Sequence, residues 1–171
     1  MPDILSREDI LSLLGAEPPL VENLCDVAQQ LQPNGIDLTA RELFTFSSKG
    51  SVPVDNRERV LSDTLPLPFD SDGGIDMPPG CYLVTYNEVM HLPANMIALA
   101  LPRSSLLRCG VSVHTAVWDA GYSGRSQSLM VVYNSSGFHL QKNARIVQLI
   151  FLRLGHEVAE GYHGIFQGEN T

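Results

Sequence analysis

The sequence is poor in the features that mark several broad protein classes. Cysteine is sparse: Cys25, Cys81 and Cys109 are odd in number, lie far apart and form no C-x-x-C pair. That speaks against a disulfide framework, and buried, reduced thiols in a cytosolic protein are expected. No basic N-terminal segment runs into an apolar stretch, and no run approaches the roughly 18 apolar residues of a membrane helix. The chain therefore reads as soluble, cytoplasmic and without a membrane partner. Basic residues are few, eleven Lys and Arg against nineteen Asp and Glu, giving a net charge of −8. Duplex nucleic acid needs a basic face, so no nucleic-acid partner is expected. A small anionic ligand is not excluded, because arginines can still be gathered locally.

The 171 residues favour one domain, and a hydrophobic content of 44% supplies an ordinary globular core. "LSREDILSLLGAE" predicts a short helix capped by Ser6, with Asp9 three residues later and Gly15 as the stop. Ile10, Leu11, Leu13 and Leu14 would form its apolar side. Beyond it, strands are expected at Gly35–Leu38, Glu42–Phe46, Gly80–Tyr86, Ile97–Pro102, Gly110–Val113, Ser128–Tyr133, Phe138–Leu140 and Arg145–Leu154. Short strands at this spacing predict an all-β barrel or sandwich. Residues 54–74 read as a polar excursion holding one strand at most. "MIALALP" and "RIVQLIFLRL" are apolar on both faces, so a second sheet or another subunit should cover them.

Four segments carry possible chemistry. "PRSSLLR" sets Ser104 and Ser105 between Arg103 and Arg108, groups that suit phosphate oxygens but equally fit a surface turn. "AVWDAGYSG" reads as a tight hairpin in which Asp119 is either a general base or a turn initiator, and Tyr122 either covers a ring or packs at an edge. "QPNGIDLTA" holds Asp37, and "NARIVQLIF" places Arg145 and Gln148 on an apolar strand. "GYHGIFQGEN" joins three glycines to Tyr162, Phe166 and Gln167, as a flap over a ligand or a frayed end. His114 is either a ligand contact or a strand-end histidine in a structural hydrogen bond.

In this order the motifs resemble the superfamily of trimeric dUTPases and dCTP deaminases over most of the chain. "QPNGIDLTA" is similar to the first, Asp-containing motif, "PRSSL" to the Arg-Ser phosphate motif, "WDAGYSG" to the Asp-x-x-aromatic-x-Gly hairpin, and "ARIVQLIF" to the Arg-x-x-Gln-Leu strand. The opening "ILSREDI" and the ending "GYHGIFQGEN" are closer to the deaminase branch. The resemblance implies a distorted, jelly-roll-like β-barrel with a short N-terminal helix, spanning residues 1–171, with 161–171 as a flexible closing tail. It implies a homotrimer with active sites shared between subunits, and Mg²⁺ held mainly through the substrate's triphosphate rather than by protein ligands.

The resemblance also implies roles. Asp119 activates water for attack at the α-phosphate. Arg103, Ser104, Ser105 and Arg108 bind phosphates, which Gln148 and Gln167 approach. Thr115, Ala116 and Val117 read the base edge. Tyr122 packs on deoxyribose and crowds a 2′-hydroxyl, Tyr162 belongs to the closing tail, and Asp37 matches the first motif without an assigned role. Deaminases of the superfamily carry a glutamate in the strand after the hairpin; here "GRSQSLMVVYN" offers Leu129 or Met130, and Gln127 is not a base. Only Val117-Trp118 separates Thr-Ala from the Asp, one residue fewer than in the deaminase branch, which implies a reshaped pyrimidine pocket. The expected activity is dUTP diphosphatase. The alternatives are a dCTP deaminase, alone or combined with the diphosphatase, and a non-catalytic nucleotide-binding relative.

Overall fold

The computed structural model describes residues 3–171. Helix α1 (Arg7–Leu14) forms as its caps dictate: Ser6 and Asp9 make a reciprocal capping box, and Gly15 ends the helix. It lays Ile10 into the core, with Leu13 and Leu14 packed at the core margin. Leu11 faces solvent, so the apolar side is narrower than the sequence pattern suggests. Next come β1 (Val21–Glu22), α2 (Val27–Gln30), β2 (Leu31–Gln32) and the long β3 (Gly35–Phe46). The chain continues through one 3₁₀ turn (Asn56–Glu58) to β4 (Thr64–Leu67), β5 (Gly74–Met77), β6 (Gly80–Tyr86), β7 (Val89–His91) and β8 (Met96–Pro102). After α3 (Ser104–Arg108) follow β9 (Val111–His114), β10 (Ser123–Gly124), β11 (Gln127–Val132), β12 (Phe138–Gln141) and β13 (Arg145–Arg153).

The main sheet runs β8-β13-β3-β6-β11-β9, entirely antiparallel where paired, with β2 and β4 also on β3. It curls until its ends nearly meet, where Ala98 of β8 bridges Trp118 just beyond β9. The result is a distorted, nearly closed β-barrel. Two small sheets complete it, β1-β7-β10 and β12-β5. The two strands expected at 35–38 and 42–46 are one strand, bent by a register shift between Ala40 and Glu42. Such a bulge lets one strand serve two neighbours as the sheet curves. The excursion does hold one strand, β4, on β3.

Tyr86, Phe151, Ile36, Leu38, Leu43 and Met130 fill the barrel, each at most 1% exposed. Burying one such side chain contributes about 1.5–3 kcal/mol, so the barrel interior dominates stability. The three cysteines are free, as expected, but all are exposed rather than buried. They sit at the barrel's outside, where a small apolar side chain adds nothing to the core. Among the described residues no helix is long and apolar enough to cross a membrane.

Candidate active site

Two groups of residues stand out. The first is a corner where β3, β13 and β8 meet. Register places Gln148 beside both Asp37 and Leu101, and β8 ends at Pro102. Arg103 follows, its N–H bonded to the Ile146 carbonyl at 3.0 Å. Its guanidinium Nε lies 3.1 Å from Asp37 Oδ2, and Arg145 Nη1 lies 3.3 Å from the same oxygen. Asp37 is almost completely buried, whereas both arginines keep about a third of their side chains in solvent. Burial pushes the Asp37 carboxyl up, against the pull of Arg103 and Arg145. One carboxylate thus holds two guanidinium groups in place and leaves the corner with excess positive charge.

Behind this corner lies a network invisible as a motif. Glu88, 1% exposed, accepts hydrogen bonds from Thr39 N (2.9 Å), Thr39 Oγ1 (2.6 Å) and Gln30 Nε2 (2.6 Å). The same Gln30 amide donates to the Asp37 carbonyl at 2.8 Å. Burial raises the Glu88 carboxyl, offset by these donors from Thr39 and Gln30. "SSLLR" is not a turn but the short helix α3, because Leu106 is drawn into the core. Ser104, Ser105 and Arg108 are left exposed on it.

The second group surrounds a cavity of ≈ 920 Å³. Asp119, Tyr122, Ala116 and Val117 line it, with Tyr162, Phe166 and Glu169 from the C-terminal tail, Val60 and Leu61 from the excursion, and Val52 just before it. "WDAGYSG" is a tight turn rather than a two-strand hairpin. Tyr122 N donates to the Asp119 carbonyl at 3.1 Å and Gly121 has φ +82°, but the two flanks pair with different strands. Trp118 exchanges two backbone hydrogen bonds with Ala98, while Ser123 and Gly124 pair with His91 and Met90. His91 braces this second flank, its Nδ1 2.8 Å from Ser123 Oγ and its Nε2 3.1 Å from Glu22. The turn is therefore clamped between two sheets, with the Asp119 side chain exposed at the cavity.

The tail folds back on this turn. Tyr162 N donates to Ala120 O (2.8 Å), Gly168 N to Ser123 O (2.7 Å), and Arg125 N to Glu169 O (2.9 Å). Gln167 uses both ends of its amide here, accepting from Ser123 N at 3.1 Å and donating to Gly121 O at 3.0 Å. Buried Arg125 ties the assembly down, donating to Asn170 O at 3.0 Å and to the carbonyls of Tyr86 and Asn87. Thr115 turns away from the cavity and bonds Ala100 O at 3.2 Å. His114 Nε2 meets Tyr133 Oη at 3.3 Å, in keeping with a structural histidine.

Within the described residues of one chain, Arg103, Ser104, Ser105, Arg108 and Gln148 do not line the Asp119 cavity. Residues 129 and 130 give no acid: Met130 is buried and Leu129 pairs with His114 and Leu83. Glu88, Arg125, Glu169 and the excursion residues escaped the sequence reading. No local pattern could have hinted at Glu88, whose partner Thr39 lies 49 residues away.

The sequence matches the model of the dCTP deaminase-like family over residues 4–154. The chain belongs to this family. Among its relatives, a protein of Methanosarcina mazei is 52% identical over 168 residues, covering 98% of each chain. One of Archaeoglobus fulgidus is 42% identical over 167 residues, covering 98% of this chain and 97% of that one. Both are named probable deoxyuridine 5′-triphosphate nucleotidohydrolases. The crystal structure of 2′-deoxycytidine 5′-triphosphate deaminase from Agrobacterium tumefaciens superposes with a TM-score of 0.68 at 23% identity. It covers 91% of this family member but only 49% of the longer deaminase chain, and at that identity it bears on the fold alone.

Proposed function

We propose that the protein is a dUTP diphosphatase, releasing dUMP and pyrophosphate in the cytoplasm. The observation that carries the reading is the Asp119 carboxylate, exposed at a cavity beside Tyr122, while β11 carries Leu129 and Met130 and no acid. Water attack on phosphorus needs one base near the phosphate, whereas loss of a ring amine needs a proton carrier at the ring. The full-length relatives named nucleotidohydrolases support the same choice.

Asp119 takes a proton from a water whose oxygen forms the new bond to the α-phosphorus, and the bond to the pyrophosphate oxygen breaks. Guanidinium and hydroxyl donors from Arg103, Arg145, Ser104 and Ser105 offset the charge that collects on the phosphates, with Arg108 nearby. Gln148 contacts phosphate from β13. Ala116 and Val117 flank the base, with Thr115 fixing that segment to β8, and the Tyr122 ring stacks on deoxyribose. Tyr162 and Gln167 hold the tail 161–171 over the site. Mg²⁺ would be held mainly through the triphosphate rather than by protein ligands, and it would neutralise phosphate charge.

One chain does not put its guanidinium corner in the Asp119 cavity, and Leu101 of β8, beside that corner, is 70% exposed. A homotrimer in which one subunit's corner meets another's cavity accounts for both. The test is to supply dUTP or dCTP with Mg²⁺ and to measure pyrophosphate and ammonia separately. Pyrophosphate from dUTP and no ammonia from dCTP is expected. Ammonia at a comparable rate would establish a deaminase, and binding without turnover a non-catalytic relative.

A further inference from the structure

Two carboxylates line the cavity, and only one of them is accounted for. The second, Glu169, accepts the Tyr122 hydroxyl at 2.9 Å. The Tyr122 ring is held on its other sides as well. Its edge meets the Tyr162 ring, with centroids 5.6 Å apart and planes at 72°. Its own backbone is fixed at both ends, by the Asp119 carbonyl and by Leu92 N at 2.8 Å. Beneath the hydroxyl, a methyl on Gly124 would lie 2.9 Å from Tyr122 Oη and 3.2 Å from Glu169 N, so glycine alone lets the tyrosine and the tail close together. Burial raises the Tyr122 phenol, which keeps its hydroxyl protonated and able to donate; burial also raises the Glu169 carboxyl, against the downward pull of the Tyr122 bond.

A steric wall rejects an added hydroxyl only if the wall cannot retreat. A tyrosine free to turn about its side-chain bonds could move aside, whereas one pinned at its ring edge and its hydroxyl could not. We infer that Glu169 is a positioning residue for sugar discrimination, locking the Tyr122 ring so that ribonucleoside triphosphates are excluded from the cavity. The inference rests on the diphosphatase reading above, in which Tyr122 stacks on the sugar. It adds a role for the tail distinct from closure: the tail sets the stiffness of the pocket wall. Asp119 does the chemistry, and Glu169 acts only through Tyr122.

The test compares kcat/KM for dUTP and UTP in the wild type, Glu169→Ala, Glu169→Gln, Tyr122→Phe and the double variant Tyr122→Phe/Glu169→Ala. Tyr122→Phe removes the bond while leaving the tail intact, so it separates the bond from tail docking. The dUTP:UTP ratio should fall about tenfold or more in Glu169→Ala, the scale of discrimination that a pocket wall provides. Glutamine, which still offers an acceptor oxygen, should restore most of it. The double variant should be no less selective than Tyr122→Phe alone, because both changes remove one interaction. Equal losses on both substrates, or additive losses in the double variant, would overturn the inference. A wild type inactive on dUTP would sink the diphosphatase reading first and this inference with it; an active wild type whose ratio ignores Glu169 would sink the inference alone.

Discussion

Gly121 and Gly161 meet backbone to backbone: a methyl on Gly121 would lie 2.9 Å from the Gly161 Cα. Gly121 also holds φ +82°, which strains any L-residue by roughly 1–2 kcal/mol. Gly121→Ala should therefore lower the melting temperature by about 2–8 °C and lift the tail from the turn. Calorimetry measures the first effect and limited proteolysis after residue 160 the second. A tail as resistant as the wild type's would show that the contact is not needed for docking. Deleting 161–171 outright should leave the far-ultraviolet spectrum of the barrel unchanged and cripple dUTP turnover, since the tail bonds only to the turn side of the cavity.

Asp119→Asn should lower kcat by about 10²-fold or more while dUTP still binds, because the change keeps the shape and removes the proposed base. Single-turnover pyrophosphate release alongside equilibrium binding checks this. Near-normal turnover would remove Asp119 from the chemistry.

Glu88 gives a pH prediction. Burial raises its pKa, so over a window above the ordinary glutamate range the folded chain holds a proton that the unfolded chain has released. Its contribution is greatest below the unfolded-state value and is lost as pH rises through the raised folded value. Glu88→Gln cannot ionise and should lack this slope in melting temperature against pH. It should also be less stable by about 1–3 kcal/mol, because an amide NH₂ would face one of the donors from Thr39 or Gln30. An identical pH slope in the two proteins would contradict this account.

Leu101→Glu should dissociate the proposed trimer and abolish turnover without unfolding the barrel, since that side chain is exposed in a single chain. Light scattering and activity on the same sample decide it. An active monomer would defeat the shared site.

The N-terminal helix was legible because its caps are local: Ser6, Asp9 and Gly15 lie within ten residues of one another. So were most long strands, whose apolar pattern is unambiguous. The two-residue strands β1, β2 and β10 were not, because their pairing with β7 or β3 is decided by tertiary contacts. The candidate site divides in the same way. Asp37, Arg103, Arg145, Asp119 and Tyr122 stand in recognisable motifs. Glu88 and Glu169 act through partners 49 and 47 residues away, and no local pattern announces either. Helix α3 was missed because one buried residue, Leu106, decides it.

The barrel's closing seam is slight. Beyond the β8 and β9 ladders, Ala98 meets Trp118 in a single bridge and Thr115 reaches Ala100 through its hydroxyl. The next residue after that bridge is Asp119. Opening the seam would thus displace the carboxylate while the β13-β3-β6-β11 wall stayed folded, a partial opening of low free energy compared with global unfolding. Heat inactivation should then run ahead of bulk melting, and hydrogen exchange at residues 115–119 should outpace exchange in β3 and β6.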